Sequence, residues 1–322
     1  MSTRVVSATV QIENPPPPSP IYVGKRTFLG RRDLVVSFYT ERCQFKCTYC
    51  NLPASSHPEP LDKGAIAAQI EQLMAEHAAE LGTFQQFSAG NEGSILDPHK
   101  FPREMLDRLV EQTAQMPNLE VLSLETRPEY IKYPLLQAIQ QRSHAAQLDI
   151  TIGFETQDDH LREVVLKKTI SRKILEQRIA LLGDLGVRLT SYVMLKPGPW
   201  MSEQDGIDEA IATINYLYQQ CQRAGVELII YLNPVYAATG TPLLQQFILH
   251  NYRPPLIQSV AQVIAATRSL GIAIYTGLWS EQNAVAQGDY RSRGAHDEAL
   301  RRAIKHYNQH QDYQVIASFI DR

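Results

Sequence analysis

Apolar residues along this chain switch repeatedly between two spacings. Short runs at DLVVSFYT (33–40), FQQFSA (84–89), LEVLSLET (119–126), LDITIGFET (148–156), VRLTSYVML (187–195) and VELIIYL (226–232) read as strands. Between them apolar residues recur at helical spacing. Ile66, Ile70, Leu73, Met74 and Leu81 do so within 62–81, and Met105, Leu106, Leu109 and Val110 within 103–116. Ile174, Leu175, Ile179, Leu182 and Leu185 do so within 171–185. A short helix is expected after Tyr133, and another opens at Ser202 with Asp205 as its capping partner. Pro254 and Pro255 start a helix that Gly271 ends, IAIYT (272–276) reads as a further short strand, and a closing helix spans about 295–309.

Strand–helix alternation repeated six times implies parallel strands joined by right-handed crossovers. Runs such as VELIIYL are apolar nearly throughout, as expected of parallel strands covered on both faces. Six units fall short of the eight of a closed barrel, so the expected fold is α/β, an open or partial (β/α)6 TIM-like barrel. Its ligands are expected at the C-terminal ends of the strands. Residues 1–20 end in PPPPSP and read as an extended arm, because proline donates no backbone hydrogen bond. The barrel domain is then expected over 21–280, with 281–322 as a helical segment packing on it.

Charge and hydropathy narrow the class. The 31 Lys and Arg against 34 Asp and Glu give a net charge of −3 without a basic stripe, so nucleic acid is not the default partner. No apolar run reaches the roughly 18 residues of a membrane span, and the N-terminus lacks a secretory apolar core. A cytoplasmic location is expected.

Three of the four cysteines fall in ERCQFKCTYCN, directly after the first predicted strand. Cys43, Cys47 and Cys50 have the spacing C-x3-C-x2-C, short enough for one loop to wrap three corners of a [4Fe–4S] cube. Three thiolates leave one iron open for chemistry, whereas a structural zinc site needs four protein ligands. Cys221 does not supply a fourth, since it continues the apolar helix face of Ile207, Ile211, Ile214 and Leu217 and reads as core.

This loop, with the aromatic Tyr49 before its last cysteine, resembles that of the radical S-adenosylmethionine (SAM) superfamily. The resemblance implies that SAM chelates the open iron through its amino and carboxylate groups. Reductive cleavage would then release a 5′-deoxyadenosyl radical that abstracts hydrogen from substrate. It also implies SAM contacts at the strand ends. Gly90, Asn91, Glu92 and Gly93 stand where the family holds the SAM amino group, although the order here is GNEG rather than GGE. A strand-ending turn is the alternative reading of Gly90-Asn91. Glu155 stands where relatives contact the ribose, with a structural salt bridge as the alternative. Lys168, beside Lys167, stands where relatives pair the SAM carboxylate, with an exposed surface lysine as the alternative. Tyr49 and the apolar residues of YVML (192–195) would flank adenine.

The segments FSAGNEGSILDPHKFP, LETRPEYI, IGFETQDDHLRE and SYVMLKPGPWMSEQDGIDEAI follow in that order. The series resembles the radical subunit of archaeosine synthase and, more distantly, the radical SAM domain of the Elongator catalytic subunit. No second cysteine set occurs in this sequence, so one cluster and SAM are the expected cofactors. The expected activity is that of a radical SAM oxidoreductase or lyase acting on a polar small molecule. Substrate would enter near Glu125, Arg127, Lys196, Asn233 and Tyr236, with Arg127 and Lys196 as its catalytic contacts. A surface ion pair with Glu129 is the alternative for Arg127. An external electron donor such as flavodoxin or ferredoxin is implied. A tRNA-modifying enzyme is the alternative function.

Overall fold

The computed structural model describes residues 19–236, 238–278 and 297–320. Its centre is one eight-stranded sheet in sequential order: β1 (Tyr22–Phe28), β2 (Arg31–Phe38), β3 (Gln86–Asn91), β4 (Val121–Glu125), β5 (Gln147–Glu155), β6 (Arg188–Leu195), β7 (Leu228–Pro234) and β8 (Ala273–Thr276). Strands β2 to β8 are parallel, and β1 is antiparallel to β2. The crossovers carry α1 (Lys63–His77), α2 (Arg103–Glu111), α3 (Tyr133–Arg142), α4 (Arg172–Asp184), α5 (Glu203–Ala224), α6 (Pro242–Leu249) and α7 (Ile257–Thr267), followed by α8 (Asp297–His310) and α9 (Gln314–Ala317). Among the described residues no helix is long and apolar enough to cross a membrane.

Local chemistry sets most boundaries. Ser202 and Asp205 form the expected capping box of α5, and Gly225 closes that helix in the left-handed conformation. Asp62 and Ser171 cap α1 and α4 by accepting from backbone N–H groups. Several expectations need correction. α1 ends at His77 rather than 81, and α2 gives way to a 3₁₀ turn after Glu111. α7 begins at Ile257, because Pro254 and Pro255 lie outside the helix and Leu256 is extended ahead of it. Neither α6 nor β1 follows from the sequence patterns above. β1 joins β2 through the two-residue turn Leu29-Gly30, in which both residues have positive φ. Leucine is a poor signal for such a turn, so the hairpin is hidden in the sequence. Of the expected proline-rich arm, residues 1–18 lie outside the described residues, as do 279–280 of the expected barrel domain and 281–296 and 321–322 of the C-terminal segment.

The two faces of the sheet differ. Leu34, Val36 and Phe38 of β2 point outward and are sealed under the helices, while Val35 and Ser37 point inward and keep accessible surface. Ser88, Glu125, Tyr192 and Tyr275, on the inward side of their strands, also keep surface. The sheet therefore curls around a hollow, and its first and last strands meet inside, where the rings of Phe28 and Tyr275 lie 4.7 Å apart. The expectation that both faces would be apolar is overturned. Deep in the hollow, Asp149 accepts from Arg188 Nε at 2.7 Å, Ser123 Oγ at 2.7 Å and Thr190 Oγ1 at 2.9 Å. Asp33 accepts from Arg26 Nε at 2.8 Å and Ser88 Oγ at 3.0 Å. Buried charge is tolerable here because it is paired and hydrogen-bonded.

Candidate active site

The cysteine loop leaves the C-terminal end of β2 and is tied down at several points. Arg42 N–H donates to the His57 carbonyl at 2.8 Å, and His57 N–H to that of Thr40 at 3.1 Å. Thr48 is held three ways: its N–H donates to Leu166 O at 2.9 Å, its hydroxyl to Val165 O at 2.7 Å, and its carbonyl accepts from Leu243 N–H at 2.9 Å. Val165 ends a π-helical turn, His160–Val165, so the loop is hung between that turn and α6. The residue type of Thr48 gives no sign of this role.

Cys43, Cys47 and Cys50 are half-buried free thiols, and Cys221 is buried in the core as expected. Burial pushes the Cys50 thiol up to about 12 and the Cys43 thiol upward. Neutral thiols are thus favoured unless a cation binds. Among the described residues no three or more His, Cys, Asp or Glu side chains surround a single metal-ion position. A cube takes each thiolate on a different iron, so its ligands need not meet at one point.

Next to the loop, β3 delivers the GNEG segment. A Cβ on Gly93 would lie 3.5 Å from Cys43 Sγ, which places this turn against the thiols. Asn91 and Glu92 are buried, and both polar side-chain atoms of each lack a partner among the described residues. Burial pushes the Glu92 carboxyl up to about 8, with Arg42 opposing the shift. The unpartnered Glu92 carboxyl, on the turn that abuts the Cys43 thiol, fits a polar ligand at the cluster's open corner. The residues present therefore suit both a [4Fe–4S] cluster and SAM.

On the other side, Tyr49, Glu155 and Lys168 close into a triangle. Tyr49 Oη donates to Glu155 Oε1 at 2.9 Å, and Lys168 Nζ donates to both, at 2.8 Å to Tyr49 Oη and 3.0 Å to Glu155 Oε1. Burial opposes the Lys168 charge, but Glu155 and Cys47 outweigh it and raise its pKa. Burial, then Glu155 and the nearby thiols, holds the Tyr49 phenol well above its usual range. Glu155 sits at a bulge with φ +73°, a strained conformation for a non-glycine residue. A Cβ on Gly153 would lie 2.6 Å from both Lys168 Nζ and Glu155 Oε1, so any larger residue would push this pair aside.

Arg127 and Lys196 are placed differently. The Arg127 guanidinium donates to Lys168 O and Thr169 O, each at 2.9 Å, and to Glu129 at 2.6 Å, and it covers the Phe45 ring at 3.5 Å. Its charge is thus committed to holding the cysteine loop against the 168–169 segment. Lys196 donates to Glu203 at 3.0 Å and to the Arg253 carbonyl at 2.7 Å, and it stacks on Tyr252. The structure brings together Tyr49, Gly90, Asn91, Glu92, Glu155 and Lys168 around the thiols, with Arg127 behind them and Lys196 bound toward α5.

The fold is the partial barrel of the radical SAM type, with an antiparallel strand added at its first edge. The archaeal Elp3 of Methanocaldococcus infernus superimposes with a TM-score of 0.51 at 14% identity, over 75% of this chain and 58% of that one. In sequence the chain is 23% identical over 245 residues to an uncharacterised protein of Methanocaldococcus jannaschii, covering 74% of this chain and 65% of that protein. It is 22% identical over 231 residues to the archaeosine synthase subunit beta of Thermococcus kodakarensis, covering 71% of this chain and 68% of the relative. The chain thus spans about two thirds of the length of the relatives it matches. No protein-family model matches it.

Proposed function

We propose that this chain is a radical SAM enzyme, an oxidoreductase or lyase, acting on a polar small molecule. One observation carries the reading: three free thiols lie on one loop at the C-terminal edge of a partial barrel, and the Cys43 thiol abuts the turn that carries the buried, unpartnered Glu92. Cys43, Cys47 and Cys50 would hold the [4Fe–4S] cluster, and Gly90, Asn91 and Glu92 the SAM amino group. Tyr49, Glu155 and Lys168 would frame the remainder of SAM, with Lys168 offering its charge to the carboxylate. When bound and reduced by an external donor such as flavodoxin or ferredoxin, the cluster and SAM supply a 5′-deoxyadenosyl radical for hydrogen abstraction. The protein's own task is to aim that chemistry and keep water out. Arg127, whose Nη atoms hold the 168–169 backbone while its buried Nε has no partner among the described residues, and Lys196, which donates to Glu203 and the Arg253 carbonyl, would act as positioning residues.

Anaerobic reconstitution tests this reading. About four irons per chain are expected, with dithionite-dependent 5′-deoxyadenosine from SAM and loss of both in Cys43→Ala, Cys47→Ala or Cys50→Ala. Iron near eight per chain, or no SAM cleavage by the loaded protein, would sink it. The second reading, a tRNA-modifying enzyme, is favoured by the similarity to archaeosine synthase subunit beta. Tight tRNA binding that weakens steeply with salt would promote it over the small-molecule reading.

A further inference from the structure

The Glu155–Lys168 pair is assembled from two backbone stretches that fold against their own preferences. Glu155 ends β5 with φ +73°. Lys168 lies in the link between the π-helical turn and α4, flanked by Lys167 at φ +50° and Thr169 at φ +53°. Three of the seven non-glycine residues with positive φ among the described residues therefore gather at this one pair. Threonine is β-branched, which makes it one of the residues least suited to that region. Such conformations persist only where the surrounding structure over-determines them.

One side chain holds both stretches. Arg162, on the π-helical turn, is buried to 1% exposure. Its Nη1 donates to the carbonyls of Thr156 at 2.9 Å and Gln157 at 3.2 Å, the two residues that follow Glu155. Its Nε donates to the Ile170 carbonyl at 2.7 Å, directly beyond Thr169. Its own carbonyl accepts from the Lys168 N–H at 2.9 Å. The guanidinium lies over the Phe154 ring at 4.6 Å, and Asp159 and Glu163 balance its charge. These backbone contacts fall on each side of the paired side chains, and a rigid planar fork of donors is what lets one residue reach both stretches. Arg127 grips the same link from the cysteine-loop side, at the Lys168 and Thr169 carbonyls. Arg162 alone of the two also grips the stretch after Glu155.

We propose that Arg162 is a positioning residue for SAM: it staples the stretch after Glu155 to the link that carries Lys168, and so fixes the pair that frames the ligand. This rests on the radical SAM reading and names the residue that pre-organises its SAM site. The strain at Glu155, Lys167 and Thr169 is what the staple holds in place.

The test is Arg162→Lys, which keeps the charge but cannot span both stretches. SAM binding by calorimetry, iron content and thermal unfolding are read on the anaerobically reconstituted full chain. Without SAM, acylation of Lys168 by an amine-reactive ester is read by peptide mass spectrometry against its exposed neighbour Lys167. SAM affinity is expected to fall at least about ten-fold with iron unchanged, and Lys168 to acylate several-fold faster relative to Lys167. Adding Thr169→Gly, which relieves the left-handed strain, should return several-fold of the lost SAM affinity. Unchanged SAM affinity or unchanged Lys168 acylation in Arg162→Lys overturns the proposal. So does an affinity loss that tracks a loss of iron or that Thr169→Gly does not relieve, since Arg162 is then a structural residue only. Should Arg162→Lys not fold, Thr169→Gly alone decides. It is expected to raise the unfolding midpoint by about 1–2 °C with SAM affinity kept. A midpoint that does not rise leaves the staple no strain to hold and overturns the proposal. The two levels fail separately. A wild-type chain that binds no SAM, while Lys168 acylation still depends on Arg162, removes the radical SAM reading and keeps the staple of the pair. A wild-type chain that binds SAM with an affinity independent of Arg162 removes the staple alone.

Discussion

At the scale of single residues, the site is written in unpaired and crowded atoms. Glu92 is a buried carboxyl without a hydrogen-bond partner, and its pKa is raised from 4.5 to about 8 by burial. A raised folded-state carboxyl means the native protein binds the proton more tightly than the unfolded chain. Its contribution is full below the unfolded value and is lost as pH rises toward the folded one. In the iron-free protein, wild type should therefore lose stability relative to Glu92→Gln as pH rises from 4.5 to about 8. The difference should reach on the order of 4 kcal/mol, read by urea unfolding. A pH-independent difference would mean that Glu92 is not held neutral. Gly153 gives a second expectation. Its added Cβ would displace both Lys168 Nζ and Glu155 Oε1, so Gly153→Ala should weaken SAM binding by about ten-fold or more while leaving iron content unchanged. Unaltered SAM affinity would take the Lys168–Glu155 pair out of the site.

At the scale of elements, two loops depend on each other through one side chain. Arg127 follows β4, donates to the backbone at 168–169 and stacks on Phe45 of the cysteine loop. Removing it takes one donor from each of the Lys168 and Thr169 carbonyls, leaves Glu129 without its ion pair and frees Phe45. Arg127→Ala should therefore cost on the order of 3 kcal/mol of stability and lower iron loading together. Wild-type stability with normal iron but no turnover would instead return Arg127 to direct substrate contact. Cys221 marks the opposite case. It lies buried on α5 away from the thiol loop, so Cys221→Ala should keep the cluster and lose about 1 kcal/mol through a small cavity. A colourless Cys221→Ala protein after reconstitution would make it a ligand.

At the scale of the whole molecule, the sheet does not close, and α8 covers the gap. The Asn308 side chain accepts from Thr276 N–H at 2.9 Å and donates to Thr276 O at 2.8 Å. Gln311 accepts from Ile274 N–H at 2.9 Å and donates to Ile274 O at 3.1 Å. Two amide side chains thus stand in for a ninth strand along the free edge of β8, and α8 touches β1 as well. Open edges invite intermolecular pairing. The double variant Asn308→Ala with Gln311→Ala should lower the unfolding midpoint by several degrees, from about 2–4 kcal/mol of lost hydrogen bonding. It should also scatter more light on heating. Unchanged melting and scattering would show that α8 does not seal the edge.

The sequence by itself determined the succession of strands and helices, because the switch between periods 2 and 3.6 is local and repeated six times. It also determined the cysteine loop, whose spacing is set by covalent reach, and the cap at Ser202. Only the tertiary structure decided what the strands enclose. Asp149, Arg188 and Thr190 read as interruptions of apolar runs until curling of the sheet brings them into one network. The hairpin of β1 was hidden because leucine occupies a positive-φ turn position. Arg127, Lys196 and Glu125 were each legible as charged residues at strand ends. What each of them bonds depends on partners 40 or more residues away, such as Lys168 O for Arg127, Arg253 O for Lys196 and Tyr192 for Glu125. Pairing at that distance is fixed by packing, and no local pattern in the chain encodes it.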